Sequence, residues 1–502
     1  MTESVLGPAI EAQIARLGRA DMMVGIPSYR NAATIGHVVR AAQAGLVQYF
    51  PDLRPVLVNA DGGSSDGTPR VVIETEPPDY IEQILLVRPT NRLARVSLTY
   101  PDVDGVSGKG AALRTIFEIA AAVGVQALVV VDSDVRSIVP EWIELLAGPI
   151  VKGGYDFVAP LYTRDKYDGT ITNTVTYPLT RALYGLRIRQ PMGGDFGVSG
   201  DLVRAYLKQP TWGPDVSRFG IDIWMTTTAV TAGYAVCQTR LGAKIHDPRD
   251  PGTDLGSMFR EVMRTAIELA IRNASTWLPV RGSHDVPAYG FERVASPLPL
   301  RVNPIRLLAT FNAGASTMAD TWHDEFTGPT YGTVVGLAHE AGRIVDHASR
   351  ELRLDAAEGS GDLGGSLTTE AMSEALADFT FPDEWWARVI YDAILAARAD
   401  PGSIEAIVSG LLPIYLGRVG SLVIAARGLD DAAAEELVER QAQAFELEKA
   451  YLVERWQSGS AATSGSAAAA PGSAATSGSA MTPGSAATAA TQGPAASRSA
   501  GE

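Results

Sequence analysis

A hydrophobic run ending in "VVVDSDVRS" (residues 129–137) delivers two carboxylates, Asp132 and Asp134, to the mouth of what reads as a buried strand. Residues two apart in extended backbone project to the same side, and ligands of open α/β sheets sit beyond the carboxyl ends of the strands. Two hard oxygen donors in that place suit Mg2+ or Mn2+, which bind through one or two carboxylates and complete their shell with substrate phosphates. A capped strand end or a turn is the other reading of a bare pair of acids. A second loop, "NADGGSSDGT" (59–68), follows an earlier strand in the same way. Gly62 and Gly63 permit close backbone approach there. Asp61 is placed to hydrogen-bond a nucleobase or ribose, or else belongs to an acidic turn.

The elements that must position these loops alternate between strand and helix. "MMVGIPSYRN" reads as a short buried strand broken by Pro27, and "ATIGHVVRAAQAGL" after it has helical spacing. "RPVLVNADGGSSDGT" is a strand running into its loop, followed by the helical "PRVVIETE". "KGAALRTIFEIAAAVG" is a helix stopping at Gly124, and "QALVVV" is the strand that delivers Asp132. Such alternation predicts an α/β unit with a parallel sheet and helices on its faces, a nucleotide-binding architecture. Residues 150–250 are mixed and rich in glycine and proline loops, the kind of segment that carries function. After about 255, four stretches with apolar residues at three- and four-residue spacing predict a helical domain: "SMFREVMRTAIELAIRNA", "GTVVGLAHEAGRIVDHASRELR", "EWWARVIYDAILAARA" and "AAAEELVERQAQAFELEKAYLVERW". From Ser458 the chain is almost wholly Ser, Ala, Gly, Thr and Pro, too apolar-poor to offset chain entropy. The expected division is therefore 1–255 catalytic, 256–457 helical and 458–502 a disordered tail.

Composition narrows the function classes. A chain of 502 residues accommodates two or three units at roughly 100–200 residues each. A net charge of −15 argues against general binding to nucleic acid or an anionic membrane, while leaving room for a small anionic substrate where basic residues cluster. The apolar runs fall short of the roughly 20 residues a membrane span requires, and the N-terminus lacks a secretory pattern. The single cysteine, Cys237, excludes internal disulfides and agrees with a cytoplasmic setting. The long amphipathic helices are candidates for a homo-oligomer interface.

"IPSYRN", "DGGSSDGT" and "VDSDV", in this order, resemble the nucleotide-sugar half of glycosyltransferases with the GT-A fold, a Rossmann-like nucleotide-diphospho-sugar transferase domain. With "SGKGAALR", "DGTITNTVTYPLTRALYG", "QPMGGDFGVSG", "FGIDIWMTT", "GAKIHDP" and "YLGRVGSLVIAARGLDD", the resemblance is to retaining mannosylglycerate and glucosylglycerate synthases, over roughly residues 20–455. Glucosyl-3-phosphoglycerate synthase is a more distant relative. The resemblance implies that Asp134 holds the divalent cation bridging the diphosphate, with Asp132 on the ribose or a metal-bound water and His246 as third protein ligand. It implies a donor site of Pro27, Tyr29, Asp61, Lys109 and Asp132, with Gln190, Gly193 and Gly194 shaping the sugar pocket. It matches Thr172 to a threonine that contacts D-glycerate and sets Asp222 beside the acceptor. Asp222 there orients a hydroxyl, or serves as base if the mechanism inverts. "DGTITNTVTYPLTRALYG" (168–185) itself reads as a loop entering a helix, whose first amides attract a carboxylate, with Thr172 otherwise an ordinary N-cap, and Arg164 is a candidate for a bidentate pair with the same carboxylate. In the phosphoglycerate enzymes an arginine is expected two positions before the threonine; here Thr170 stands there, which favours glycerate.

The implied reaction is metal-dependent transfer of glucose or mannose from a nucleotide sugar, GDP-linked by resemblance, to D-glycerate with retention. The alternatives are a glucosyl-3-phosphoglycerate synthase, an inverting transferase with another acceptor, and a catalytically silent nucleotide-sugar-binding scaffold. Inverting polysaccharide synthases carry membrane helices and a Gln-x-x-Arg-Trp motif, whereas "LVERW" has Leu452 where glutamine is needed. A sugar-phosphate nucleotidyltransferase would need a glycine-rich loop ending in arginine after the first strand, which "IPSYRNAAT" is not.

Overall fold

Three strands read as unbroken apolar runs, β1 (Met22–Ser28), β2 (Pro55–Asp61) and β4 (Ala127–Val130), and every residue in them is buried. Strands of that composition belong in the middle of a parallel sheet covered on both faces. The computed structural model, which describes residues 4–79, 93–100, 106–210, 212–246, 255–292, 297–357 and 379–467, places them there. The remaining strands are β3 (Ala94–Thr99), β5 (Phe157–Thr163), β6 (Leu186–Arg187), β7 (Phe196–Ser199), β8 (Val236–Ala243), β9 (His284–Asp285) and β10 (Ala288–Tyr289). Eight form one sheet in the order β10-β8-β5-β7-β4-β1-β2-β3, and β6 pairs with β9 separately. Within the large sheet β7 alone runs antiparallel to its neighbours. This is the Rossmann-like α/β class expected of a GT-A domain, followed by a mostly helical part.

Strand register brings the two loops to one edge. β1 and β2 pair in parallel from Met22↔Pro55 to Ser28↔Asp61, so both end level. β4 pairs with β1 as far as Gly25↔Val130 and then releases the chain toward Asp132. The strand order reverses at β1 and β4, and the crevice at such a switch point is where α/β sheets hold ligands. Pro27 does not break β1: it pairs with Ala60 of β2, past the last residue that β4 reaches, where a missing amide removes no bond to β4. Strand β3 is an addition to the sequence reading. It lies at the sheet edge and is mostly half-buried, so its apolar signal is diluted by Arg95 and Ser97.

The predicted helices form at Ile35–Tyr49, Thr68–Glu74 and Lys109–Val123, the last ended by Gly124 in the left-handed region (φ 75°). The four later stretches form Gly256–Arg272, Gly328–Ala357, Asp383–Ala399 and Asp431–Ala467. The last runs past Ser458 into the stretch expected to be disordered, although residues 458–467 are mostly Ser and Gly; extending a helix already begun is easier than nucleating one. The tail beyond 467, and residues 247–248 of "GAKIHDP", lie outside the described residues. Met1–Trp456 form one compact unit and Gln457–Glu502 a second.

Two further helices, Pro304–Thr317 and Ile404–Ala425, were not separated in the sequence. Pro401–Ala425 is long and apolar enough to cross a membrane, which corrects the expectation that no apolar run reaches that length. In the folded unit 78% of its most apolar window is buried. It is a core helix, apolar all round because neighbours surround it: a Cβ on Gly417 would lie 2.4 Å from the Phe311 ring. Cys237 is fully buried in β8, and burial pushes its thiol up to about 12. Native protein is therefore expected to resist iodoacetamide and to react stoichiometrically in urea; labelling of the native chain by mass spectrometry would contradict this.

Candidate active site

Beyond the carboxyl edge of the sheet lies a cleft of about 660 Å3, within the range of small-molecule sites. Its walls include Pro27, Ser28, Tyr29, Gly62, Lys109, Asp132, Asp134, Arg164, Asp168, Thr172, Gly193, Gly194, Asp222, Lys244 and His246. The loops after β1, β2 and β4 are laced together. Arg30 sits at φ 56° and donates its amide to Ser64 Oγ at 2.7 Å, while Asn31 and Ala32 donate theirs to Thr68 and Asp66. A non-glycine residue in the left-handed region is strained unless its surroundings hold it, and here they present the ring of Tyr29, 55% exposed, at the cleft.

The centre is an alternating array of buried charges. Lys109 Nζ lies 2.8 Å from Asp132 Oδ1 and 3.1 Å from Asp222 Oδ1. Lys244 Nζ lies 2.9 Å from Asp132 Oδ2, 2.8 Å from Asp195 Oδ2 and 2.8 Å from the Gly193 carbonyl. Asp195 also accepts the Asp132 amide at 2.8 Å and the Tyr162 hydroxyl. Burial pushes Asp132 up, but the two ammonium groups outweigh it and hold the carboxyl far below its usual range. Burial wins for Asp195 and Asp222, both raised, and burial opposes but does not prevent raised values at Lys109 and Lys244. Three carboxylates thus share two ammonium groups. Gly194 makes the approach possible: at φ +93°, its Cβ would fall 2.1 Å from Asp132 Oδ2 and 2.8 Å from Lys244 Nζ.

The residues expected to act are mostly gathered here, with three differences. Asp132, Asp134 and His246 all line the cleft, but the two oxygens of Asp132 are each paired with a lysine, a pairing the sequence did not suggest. Asp61 is fully buried and does not line the cleft: its oxygens accept from Ser28 Oγ (2.8 Å), Ser64 N (2.7 Å) and Ser64 Oγ (2.8 Å), so it shapes the loop while Ser28 and Gly62 face the ligand space. Gln190 is likewise behind the wall, accepting from Arg164 Nε at 3.3 Å and donating to the Tyr162 carbonyl at 3.1 Å. Arg164 itself is tied to Asp168 at 2.9 Å. Asp168 Oδ2 lies 3.5 Å from His246 Nε2; burial raises that carboxyl, and Arg164 and His246 more than reverse it.

Among the described residues no group of three or more His, Cys, Asp and Glu side chains is drawn together to hold a metal ion. Asp134 and His246, one hard oxygen donor and one imidazole on the same cleft, are two donors, and Mg2+ and Mn2+ accept such a partial set when substrate phosphates and waters complete it. A cation held there would need substrate phosphates to complete its shell, and His246 would have to turn its Nε2 from Asp168, 3.5 Å away.

Lys244, Asp195 and Asp168 were not singled out in the sequence. Lys244 stands two residues before His246 on the same strand end, which is a usable signal. Asp195 follows "MGG" directly but has no local mark of its role, because its partners are 33 to 63 residues away.

The chain is similar to glucosyl-3-phosphoglycerate synthase of known structure. The Mycobacterium tuberculosis synthase in complex with Mg2+ and UDP is 24% identical, over 51% of this chain and 83% of that chain, with a TM-score of 0.38. The same synthase with Mn2+, UDP-glucose and phosphoglyceric acid is 23% identical, over 50% and 79%, at 0.37. A further mycobacterial protein is 25% identical, over 51% and 78%, at 0.38. No family model matches the chain, and no curated protein matches it. At TM-scores this low, likeness to the synthase decides nothing about the substrate, which is left to the residues.

Proposed function

We propose that this chain is a cation-dependent hexosyltransferase that moves glucose or mannose from a nucleotide sugar, GDP-linked by resemblance, to D-glycerate with retention, in the cytoplasm. The observation that carries the reading is the matched charge of the cleft: Lys109 and Lys244 are already neutralised by Asp132, Asp195 and Asp222. Arg218 stands at the rim, 48% exposed and 3.9 Å from Glu261. A diphosphate brings two negative charges to such a wall, and Asp134 with His246 would hold the divalent ion that offsets them. When bound, that ion supplies several kcal/mol of charge stabilisation to the departing diphosphate.

The chain's own residues do the rest. Tyr29 offers its exposed ring to the base, and Gly193 and Gly194 let the sugar approach the backbone. Arg164, Thr172 and the first turn of the helical stretch 170–184 face the acceptor carboxylate, a charge that guanidinium and helix-start amides both favour. Asp222 Oδ1 is buried and, despite its 3.1 Å distance to Lys109, lacks a hydrogen bond of good geometry; it is suited to accept from a sugar or glycerate hydroxyl. The glycerate 2-hydroxyl attacks C1 on the face the leaving group occupies, and the leaving phosphate oxygen takes its proton.

Tyr29→Ala is expected to raise KM for the nucleotide sugar about 5- to 150-fold, the range for losing about 1–3 kcal/mol of base stacking, with kcat little changed. An unaltered donor KM would remove Tyr29 from the donor site. The test of the whole reading is a grid of GDP-glucose, GDP-mannose and UDP-glucose against D-glycerate and 3-phosphoglycerate with Mg2+ or Mn2+, the product anomer read by NMR. A β-product from an α-donor would overturn retention and shift Asp222 to the role of base. Turnover with 3-phosphoglycerate alone would overturn the choice of glycerate, which Thr170 favours.

A further inference from the structure

The segment that presents Thr172 is not a plain helix start. Thr172–Thr176 form a π-helical turn that leads into the helix Tyr177–Tyr184. Such turns are rare, insert an extra residue, and cluster at functional sites. An α-helical path through the same residues would rotate Thr172 by about 100°, the angle of one residue in an α-helix. Something must hold the wider turn in place of the narrower one.

Three side chains from three different helices of the helical part grip this turn. The Tyr415 hydroxyl lies 2.7 Å from Thr170 Oγ1, Gln441 Nε2 donates to the Asn173 carbonyl at 2.8 Å, and the Trp386 indole N–H donates to the Thr174 carbonyl at 2.6 Å. Tyr415 and Trp386 are fully buried and Gln441 nearly so. None of the three lines the cleft, while Thr170, Ile171 and Thr172 do. The grip extends along the segment, with Arg181 paired to Glu439 at 2.6 Å and to Glu446 at 3.2 Å. Glu439 and Glu446 are seven residues apart and share one face of the last helix.

We propose that Tyr415, Gln441 and Trp386 are positioning residues for the acceptor: the helical part is the template that sets the π turn, and through it the direction of Thr172. This rests on Thr172 contacting the acceptor. It assigns the helical part a specific task beyond the direct contribution of Met258 and Glu261 to the cleft wall.

The test uses the full chain with Tyr415→Phe, Trp386→Phe and Gln441→Met, each removing one hydrogen-bonding group, the first and last at near-constant volume and Trp386→Phe with a small cavity as well. Each variant is expected to raise KM for the acceptor about tenfold, the equivalent of one hydrogen bond, with donor KM and Mn2+-dependent nucleotide binding within about twofold of wild type. Donor and acceptor KM rising together, or a lowered Tm with both KM values unchanged, would overturn it. Tyr415→Phe is the mildest of the three and is retained should Trp386→Phe fail to fold. Hydrogen exchange at amides 173–177 separates this inference from the acceptor reading. It is expected to quicken about tenfold in the variants whether or not glycerate proves to be the acceptor, and unchanged exchange overturns the clamp. Wild-type protein that turns over nucleotide sugar but transfers to neither glycerate nor 3-phosphoglycerate sinks the acceptor reading alone.

Discussion

Asp134→Ala loses at least about 100-fold in kcat, on the scale of removing one preorganised stabiliser of developing charge. The expectation follows from how the other acids are used. Asp132 is clasped by two ammonium groups, Asp195 lies behind them, and Asp222 is paired with Lys109. Asp134 is the carboxylate of the strand-end pair that forms no ion pair with Lys109 or Lys244, and under the proposed function it is the one that holds the cation. Its loss is expected to weaken Mn2+ binding as well, measured by titration in the presence of nucleoside diphosphate, while Tm stays close to wild type because the residue holds no buried ion pair together. His246→Ala is expected to act in the same direction. Undiminished turnover in EDTA, or a kcat for Asp134→Ala within a few fold of wild type, would end the metal assignment.

Lys244→Met destabilises the protein by about 3–5 kcal/mol, the usual consequence of removing one partner from a buried ion pair. The Lys244 side chain is 5% exposed and its partner Asp195 is 0% exposed, so the carboxylate left behind is poorly placed to be solvated. The pH dependence has a definite sign. Burial and the Asp132 charge already raise Asp195, and Lys244 is the main influence pulling it back. Without Lys244 the folded-state carboxyl rises further. A group raised on folding contributes stability below its unfolded value and loses it as pH climbs through the folded value. The variant's Tm deficit relative to wild type is therefore expected to be smallest in mild acid and to widen toward neutral pH and above. A deficit independent of pH would mean that Asp195 is not the group left exposed to the loss. Asp195→Asn in the same background is expected to recover part of the stability, because the uncompensated charge is then gone.

Much of the cleft wall built by the strand ends was legible from local pattern. Unbroken apolar runs announced the central strands, glycine-rich loops marked their ends, and Asp132 and Asp134 carried the signal of two acids at a strand mouth. The order of these segments was enough for the resemblance to GT-A enzymes. The wall around Thr172 was less legible: a loop entering a helix was expected at 168–185, and a π turn at Thr172–Thr176 was not, since the side chains that bond to it lie more than 200 positions along the chain. Helical spacing announced the last helix, yet nothing in it marked Glu439 and Glu446 as the acids that dock on Arg181.

What the sequence by itself determined is therefore local in origin: which segments are strands or helices, where they stop, and which chemical groups stand at the ends. Side-chain periodicity and backbone preference act over a few residues, so they can be read in order. The tertiary structure alone decided which acid meets which base. It spent both oxygens of Asp132 on lysines, turned Asp61 inward to its serines, moved Gln190 behind Arg164 and made the apolar helix Ile404–Ala425 a core element. A charge finds its partner through space, and in a buried cleft that choice depends on which distant segments converge.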